Sequence, residues 1–419
     1  LPTTDNSPQK NSKFADGGVV TLDNQPYSPD LTGDKYSVND TFRPPDVQSE
    51  SGFGGDKVTL SSMIKGNTLD NIGGQTTGLD TATATAALTT YADIVYASYT
   101  DSLTAAQALD ARINEFVNAP SEQGLAAAKD AWLTAREPYL QTEVYRFYDG
   151  PIDNAEDGPE GLLNAWPMDE SYVDYTMGQM GLTMTGIVND DSVTLDAATL
   201  ESLNEQGGEE NIATGYHAIE FLLWGQDFSA DGPGSRTYLD YVDRGDAGSF
   251  GCYDMTTHAV DCLATSESEC AEGSGWYENV CAANSDRRGQ YLTVASSLLS
   301  DHLTGLTEAW APDAENYRAD FLALSSEEQL ANILTGMIIL SGFETGGERL
   351  QTALDSGDQE DEHSCFSDNT HRDMIQDVQG VQNVYLGTYG SVSGTSIKDI
   401  VAERDAELAD RLETEIAAS

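Results

Sequence analysis

Three features of the 419-residue sequence predict an all-α fold. Apolar residues recur at spacings of three and four over long stretches, as on the buried face of a helix. Gly, Pro and Asp gather between those stretches, where helices stop and the chain turns. Strand-like runs are poor and confined to short pieces of the first 65 residues. The expected architecture is two antiparallel four-helix-type bundles, with an extended N-terminal tail and a disulfide-bearing loop.

Residues 1–65 are rich in Pro, Gly, Asp, Ser and Asn without a sustained period, and read as an extended tail. The first bundle is expected over 66–235, with helices at 83–117, 121–148 and 211–224 and weaker ones at 170–180 and 197–205. Residues 236–286 read as an acidic insertion loop that carries cysteines. The second bundle is expected over 287–419, with helices at 289–310, 326–354, 370–385 and 397–417. Each half pairs a first helix with a second that carries a Glu/Arg combination: Glu143 and Arg146 in one, Glu344, Glu348 and Arg349 in the other. A distant duplication and generic helix composition both explain that likeness. The acidic stretch 150–161 lacks the ligand order of an EF-hand and is expected to form turns.

The chain holds 71 acidic against 20 basic residues, a formal net charge of −51. Such a surface repels phosphate backbones and anionic lipid headgroups, which argues against nucleic acid and membrane surfaces as partners. It suits solubility in a salty, halophilic habitat, where ions screen the self-repulsion. No stretch approaches the roughly 18–20 consecutive apolar residues of a transmembrane helix. No basic and apolar leader begins at Leu1, so any secretion signal is expected outside this numbering.

Export is suggested by Cys252, Cys262, Cys270 and Cys281, which lie within 40 residues of acidic, Gly-rich sequence. Their spacing is not that of a paired C-x-x-C zinc site. Two disulfides are expected, in an oxidising compartment. Three pairings are open to four cysteines, and the sequential one is expected. Cys365 is left over and expected to be free.

Chemistry concentrates in three places. In Gly215-Tyr216-His217-Ala218-Ile219-Glu220, His217 and Glu220 are three apart and share a helix flank beside the apolar stripe Ile212, Tyr216, Ile219 and Leu223. An imidazole and a carboxylate at a core margin need a partner. A transition metal would satisfy both, and an internal hydrogen bond is the structural alternative. Trp132, Arg136, Tyr139, Glu143 and Arg146 follow at spacings 4, 3, 4 and 3, one face of a continuous helix. If that face lines a cleft rather than solvent, Glu143 is a further ligand and the arginines orient acids. The segment 360–371 holds Glu362, His363, Asp368 and His371, two of the chain's five histidines. Ser367, Asp368 or Thr370 could also cap the following helix. The isolated His258 and His302 read as structural.

Gly215-x-His217-x-x-Glu220, followed by Phe221-Leu222-Leu223-Trp224-Gly225, resembles the signature of the imelysin family. The stretch from Ala131-Trp132 to Asp153, Leu163-Asn164-Ala165-Trp166-Pro167, and Asp361-Glu362-His363-Ser364 through His371 are similar to its cyanobacterial iron-regulated branch. The resemblance covers roughly 83–419 and leaves out the tail and the cysteine loop. It implies two bundles related by duplication with a site between them, in an exported protein of the periplasm or cell surface. It also implies a role in iron acquisition beside other iron-uptake components, often with a lipid anchor, here upstream of Leu1.

Carried onto this chain, the resemblance makes His217 and Glu220 the signature pair, with Glu143 and the 362–371 segment as contributors from neighbouring helices. The expected metal set is His217, Glu220, Glu143, His363, Asp368 and His371, supported by Trp132, Arg136, Tyr139, Arg146 and Glu362. Mixed N/O ligands suit iron, expected ahead of zinc, arriving as an ion or a chelate. A metallopeptidase using His217, with Glu220 as its catalytic residue, is the alternative; it departs from the H-E-x-x-H order of well-understood zinc peptidases. A metal-free module binding a peptide or partner in the inter-bundle groove is a third reading.

Overall fold

The computed structural model describes residues 20–21, 26–27 and 81–419, apart from 179–180, 230–231, 244–249, 255, 257–259, 265 and 279. The expected tail lies outside the described residues, except for a short antiparallel pairing of Val20–Thr21 with Pro26–Tyr27. His258 also lies outside them.

Helix α1 (Thr81–Asn118) opens the body. Ala87, Leu88, Tyr91, Ala92, Val95, Tyr99, Ala106, Leu109, Ile113 and Phe116 recur along it at helical spacing and are all buried. Helix α2 (Glu122–Leu140) starts where the Ser121 hydroxyl accepts the Gly124 amide, which satisfies one of the first-turn N–H groups. It packs along α1, and α3 (Gly215–Trp224) and α4 (Ser285–Trp310) complete the group. Helix α4 follows the insertion in sequence, yet it packs on α1 and α3.

Helix α5 (Ser326–Ile339) begins with a capping box between Ser325 and Glu328 and runs directly into a π-helix, Leu340–Gln351. Helix α6 (Thr370–Leu386) packs against that π-helix and against α2. The last expected helix breaks into α7 (Ile397–Ala402) and α8 (Ala406–Ala418), because Asp405 turns out of the helix to cap the Leu408 amide. One apolar core runs through all of these helices. The fold is all-α, as the periodicity predicts.

The patterns over 121–148 and 170–180 give way early to other structure. The stretch expected as a helix over 121–148 ends at Leu140. The Thr142 amide and hydroxyl both donate to the Tyr139 carbonyl, which tightens the last turn. Glu143–Tyr145 is a 3₁₀ turn, Arg146 is extended, and Phe147 and Asp149 take left-handed backbone. Asp153 holds this departure by accepting the Phe147 and Gly150 amides. The even spacing of Trp132 to Arg146 therefore does not mark one helical face. Close approach fixes the turn: a Cβ at Gly380 would stand 2.5 Å from the Gln141 carbonyl oxygen, and one at Gly336 would strike that of Val144.

The pattern over 170–180 yields only one helical turn, Glu170–Val173, and then a hairpin pairing Thr176–Gly178 with Gly181–Thr183. Between them Asp174 is extended and fully buried. It accepts from Arg288 Nε (2.6 Å) and Nη2 (2.9 Å) and from Arg236 Nη1 (2.8 Å), so one carboxylate ties α4 to two loops. Burial alone would raise its pKa, but Arg288 and Arg236 outweigh that and hold it below the usual carboxylate range.

The insertion is not only loop. Strands β1 (Phe250–Asp254), β2 (Val260–Asp261) and β3 (Ser274–Glu278) form an antiparallel sheet in the order β2-β1-β3. The disulfides are Cys252–Cys270 and Cys262–Cys281, interleaved rather than sequential. Register explains this: Cys252 stands opposite Asp261, which turns the next residue, Cys262, to the other side of the pairing. Cys365 is free and buried. Peptide mapping without reductant is expected to recover 252–270 and 262–281 links, and a 252–262 link would contradict this register. By chain entropy each bridge contributes about 3 kcal/mol to the insertion.

Candidate functional site

Helix α3 begins three to four residues later than its apolar pattern suggests, because the Asn204 side chain takes the Ala213 and Thr214 amides. Gly215 then has φ +81°, and a Cβ there would lie 2.5 Å from the Leu163 carbonyl oxygen. Only glycine fits this close, left-handed approach. The first residue of the motif thus docks the helix, and its third and sixth residues face inward.

His217 and Glu220 are both buried, 1 % and 0 % exposed. His217 Nδ1 and Glu220 Oε2 are 2.9 Å apart. The other carboxylate oxygen, Oε1, accepts the Ser367 amide (2.9 Å) and hydroxyl (2.6 Å). Ser367 therefore binds Glu220 rather than capping α6, whose first turn has no side-chain cap. Burial pushes the Glu220 carboxyl up to about 8 against the Ser367 bonds. Burial, then the nearby Arg136 guanidinium, pushes His217 well below the usual imidazole value. His217 Nε2 is buried with no hydrogen-bond partner.

The ring of His363 stands 4.8 Å from that of His217, at 70°. His363 Nδ1 is 2.7 Å from Asp373 Oδ2. Burial would raise the Asp373 pKa, but Arg136, His363 and Ser364 overcome it and keep the group ionised. His363 is itself held well below its ordinary value by burial and Arg349. A neutral ring beside an ionised carboxylate donates from Nδ1, which leaves Nε2 as the basic nitrogen. Asp373 also accepts Arg136 Nη2 (3.0 Å), Ser364 Oγ (2.5 Å) and Asn369 Nδ2 (3.2 Å). Arg136 Nη1 donates to Asn164 Oδ1, and the guanidinium lies over the Trp132, Tyr139 and Tyr216 rings. Trp166 Nε1 donates to the Glu362 carbonyl, and its ring is 5.6 Å from that of His363.

The structure thus brings together His217, Glu220, His363 and Arg136, with Trp132 and Tyr139 around them. Glu143 belongs to a neighbouring cluster. Its Oε2 accepts Arg146 Nη1 and Arg349 Nη2, both at 2.6 Å. Burial would raise its carboxyl, but the two arginines hold it well below the usual range. The π-helix supplies Arg349, which also binds Asp377 (2.9 Å) and Glu344 (3.0 Å). Asp368 and Glu362 are half-buried beside the histidine loop, and His371 is exposed. His302 pairs with Glu201 at 2.9 Å.

Asp373, Ser367 and Asn164 carry the site, yet nothing in the sequence assigned them to it. The one available signal was Asp373, a carboxylate in the first turn of the helix that follows the histidine segment. Among the described residues, no group of three or more His, Cys, Asp or Glu side chains is arranged to hold a metal ion.

The family model for imelysin matches residues 95–419, more than three-quarters of the chain. The chain belongs to the imelysin family. It is 23 % identical over 334 residues to iron-regulated protein A of Synechococcus elongatus, covering 77 % of this chain and 70 % of that protein. Its fold matches an imelysin-like protein from Psychrobacter arcticum (TM-score 0.52, 14 % identity, 81 % and 84 % of the two chains). It also matches a protein from Parabacteroides distasonis assigned as an iron-regulated protein A precursor (TM-score 0.51, 17 % identity, 80 % and 83 %). At these identities the structures speak for the imelysin fold. Among the described residues, no helix is long and apolar enough to cross a membrane.

Proposed function

We propose that this imelysin-family chain is an exported iron-binding protein acting in iron acquisition, with its cargo held where α3 meets the 362–373 segment. The observation that carries the reading is His217 Nε2: a buried ring nitrogen without a partner, beside a second buried histidine. Arg136 Nε, Tyr139 Oη and Asn164 Nδ2 beside it are also buried without a partner, and buried polar atoms left unpaired together point to an ion or molecule that belongs there. Imidazole nitrogen suits a borderline transition metal such as iron. The iron-regulated relative agrees with that choice. Two disulfides favour an oxidising compartment outside the cytosol.

Hydrolysis is the weaker reading. A metallopeptidase needs a water-bearing open position and access for a polypeptide, whereas His217 and Glu220 are sealed within the core. A metal-free peptide-binding groove likewise needs accessible lining.

Anaerobic titration with Fe²⁺ tests the reading. Stoichiometric binding is expected in the intact protein and its loss in His217→Ala, with helical content by circular dichroism unchanged. Equal binding by the variant would move the site elsewhere, and cleavage of an unfolded protein that stops with a chelator would favour the peptidase.

A further inference from the structure

Large apolar side chains left on the surface gather on one helical run. Among the described residues, the exposed Leu334, Ile338, Leu350 and Leu354 all lie between α5, the π-helix and the helical residues Thr352–Ser356 that continue it. With Gly342 and Gly346 they occupy every fourth position from 334 to 354. The opposite face of the same run is buried at Ile333, Met337, Leu340, Phe343, Thr345 and Arg349.

The π-helix keeps this stripe straight. An α-helix turns in 3.6 residues, so a step of four overshoots and the stripe would wind off the face. A π turn, closed by i→i+5 bonds, is wider, so the same step falls short. The overshoot in α5 and the shortfall over Leu340–Gln351 offset one another.

Gly342 has no reason within this chain to be glycine. A Cβ there would meet nothing within 4 Å, and its backbone is not left-handed. Glycine inside a helix weakens it, so what Gly342 provides lies outside the chain: room for another backbone to come close. The stripe is also symmetric about residue 344. A two-fold related antiparallel copy would set 334 against 354, 338 against 350 and 342 against 346. Each large apolar side chain then meets another, and the glycines meet at the crossing.

We infer that this stripe is a two-fold interface through which the protein pairs with a second copy of itself. The four large side chains expose roughly 350–400 Å² per copy, and with the glycines and flanks the pair closes on the order of 1,000 Å², the size of a weak, reversible dimer. The stripe carries no charged residue. Acids flank it: Glu344, which Arg349 binds at 3.0 Å, and the half-buried Glu348 beside it. Across the axis they add to the mutual repulsion of two chains of charge −51. Salt screens that repulsion and spares the apolar contact, so pairing strengthens with salt. A basic segment seated on the same face would lose affinity with salt instead.

Sedimentation equilibrium of the full chain at micromolar concentrations, in dilute and in molar KCl, reads the pairing. A monomer–dimer equilibrium is expected, shifted about tenfold or more toward dimer in molar KCl. Gly342→Leu, whose side chain has open space in the single chain, and Leu350→Glu should each weaken pairing about tenfold or more. Both should keep the circular dichroism and melting of the intact chain. Ile338→Cys mixed with Leu350→Cys should cross-link in air, and Ile338→Cys alone should not. A monomer throughout, pairing that weakens with salt, pairing untouched by both substitutions, or a preferred 338–338 cross-link would overturn the inference.

Discussion

Replacing Asp174 by alanine is expected to cost about 3–5 kcal/mol of folding stability, the usual consequence of stranding buried charge by removing its partner. Asp174 is the carboxylate that Arg288 binds, through two nitrogens, and it also binds Arg236. All three side chains are at most 1 % exposed. Asp240 reaches Arg236 only at 3.4 Å, and Arg288 would keep just backbone carbonyls. Urea unfolding followed by circular dichroism gives the difference, and a change below about 1 kcal/mol would mean that the two guanidiniums find other partners.

The same group sets an acid limit. Its folded pKa lies below its unfolded value, so its stabilisation is complete above the unfolded pKa of about 3.9 and drains away as the pH falls through the folded one. Asp174→Asn should therefore flatten the pH dependence of stability below about pH 4.

Gly215→Ala is expected to damage both stability and binding. The new Cβ would lie 2.5 Å from the Leu163 carbonyl oxygen and 3.0 Å from that of Leu162, both backbone atoms that cannot rotate aside. A left-handed alanine and a forced backbone shift each cost about 1–3 kcal/mol. The shift falls at the start of α3, two residues before His217, so iron affinity should fall with stability. Thermal unfolding and Fe²⁺ titration of the same sample measure the two effects. An alanine variant with unchanged melting and binding would show that the helix start is not pinned there.

The long helices were legible because burial imposes a 3.6-residue period on them: α1 and α6 lie close to their expected bounds, and the pattern over 326–354 is helical throughout but passes from α5 into the π-helix at Leu340. The end of α2 was not. Glu143 and Arg146 continue the helical spacing of Trp132, Arg136 and Tyr139, but they are buried through an arginine cluster on a turn, which periodicity cannot distinguish from a helix face. The β1–β3 sheet was hidden because Gly, Ser and acidic residues occupy much of it, and its pairing rests on backbone register and two disulfides. That register, invisible in cysteine spacing, also decided the bridge pattern.

At the candidate site, His217 and Glu220 were legible from local spacing on one helix. The 360–371 segment was legible as a concentration of histidine and acid, but which histidine turns inward depends on tertiary packing. His363 is buried by Trp166, His217 and Asp373, while His371 faces solvent. Ser367 and Asp373 gain their roles only when α3 and the start of α6 meet, so no local pattern announces them.

The most direct test of iron binding at His217 is elemental analysis of protein loaded anaerobically with Fe²⁺ and dialysed, comparing the intact chain with His217→Ala. Stoichiometric iron is expected in the first and background iron in a variant that keeps its helical circular dichroism. Equal iron in both would contradict a site built on that imidazole.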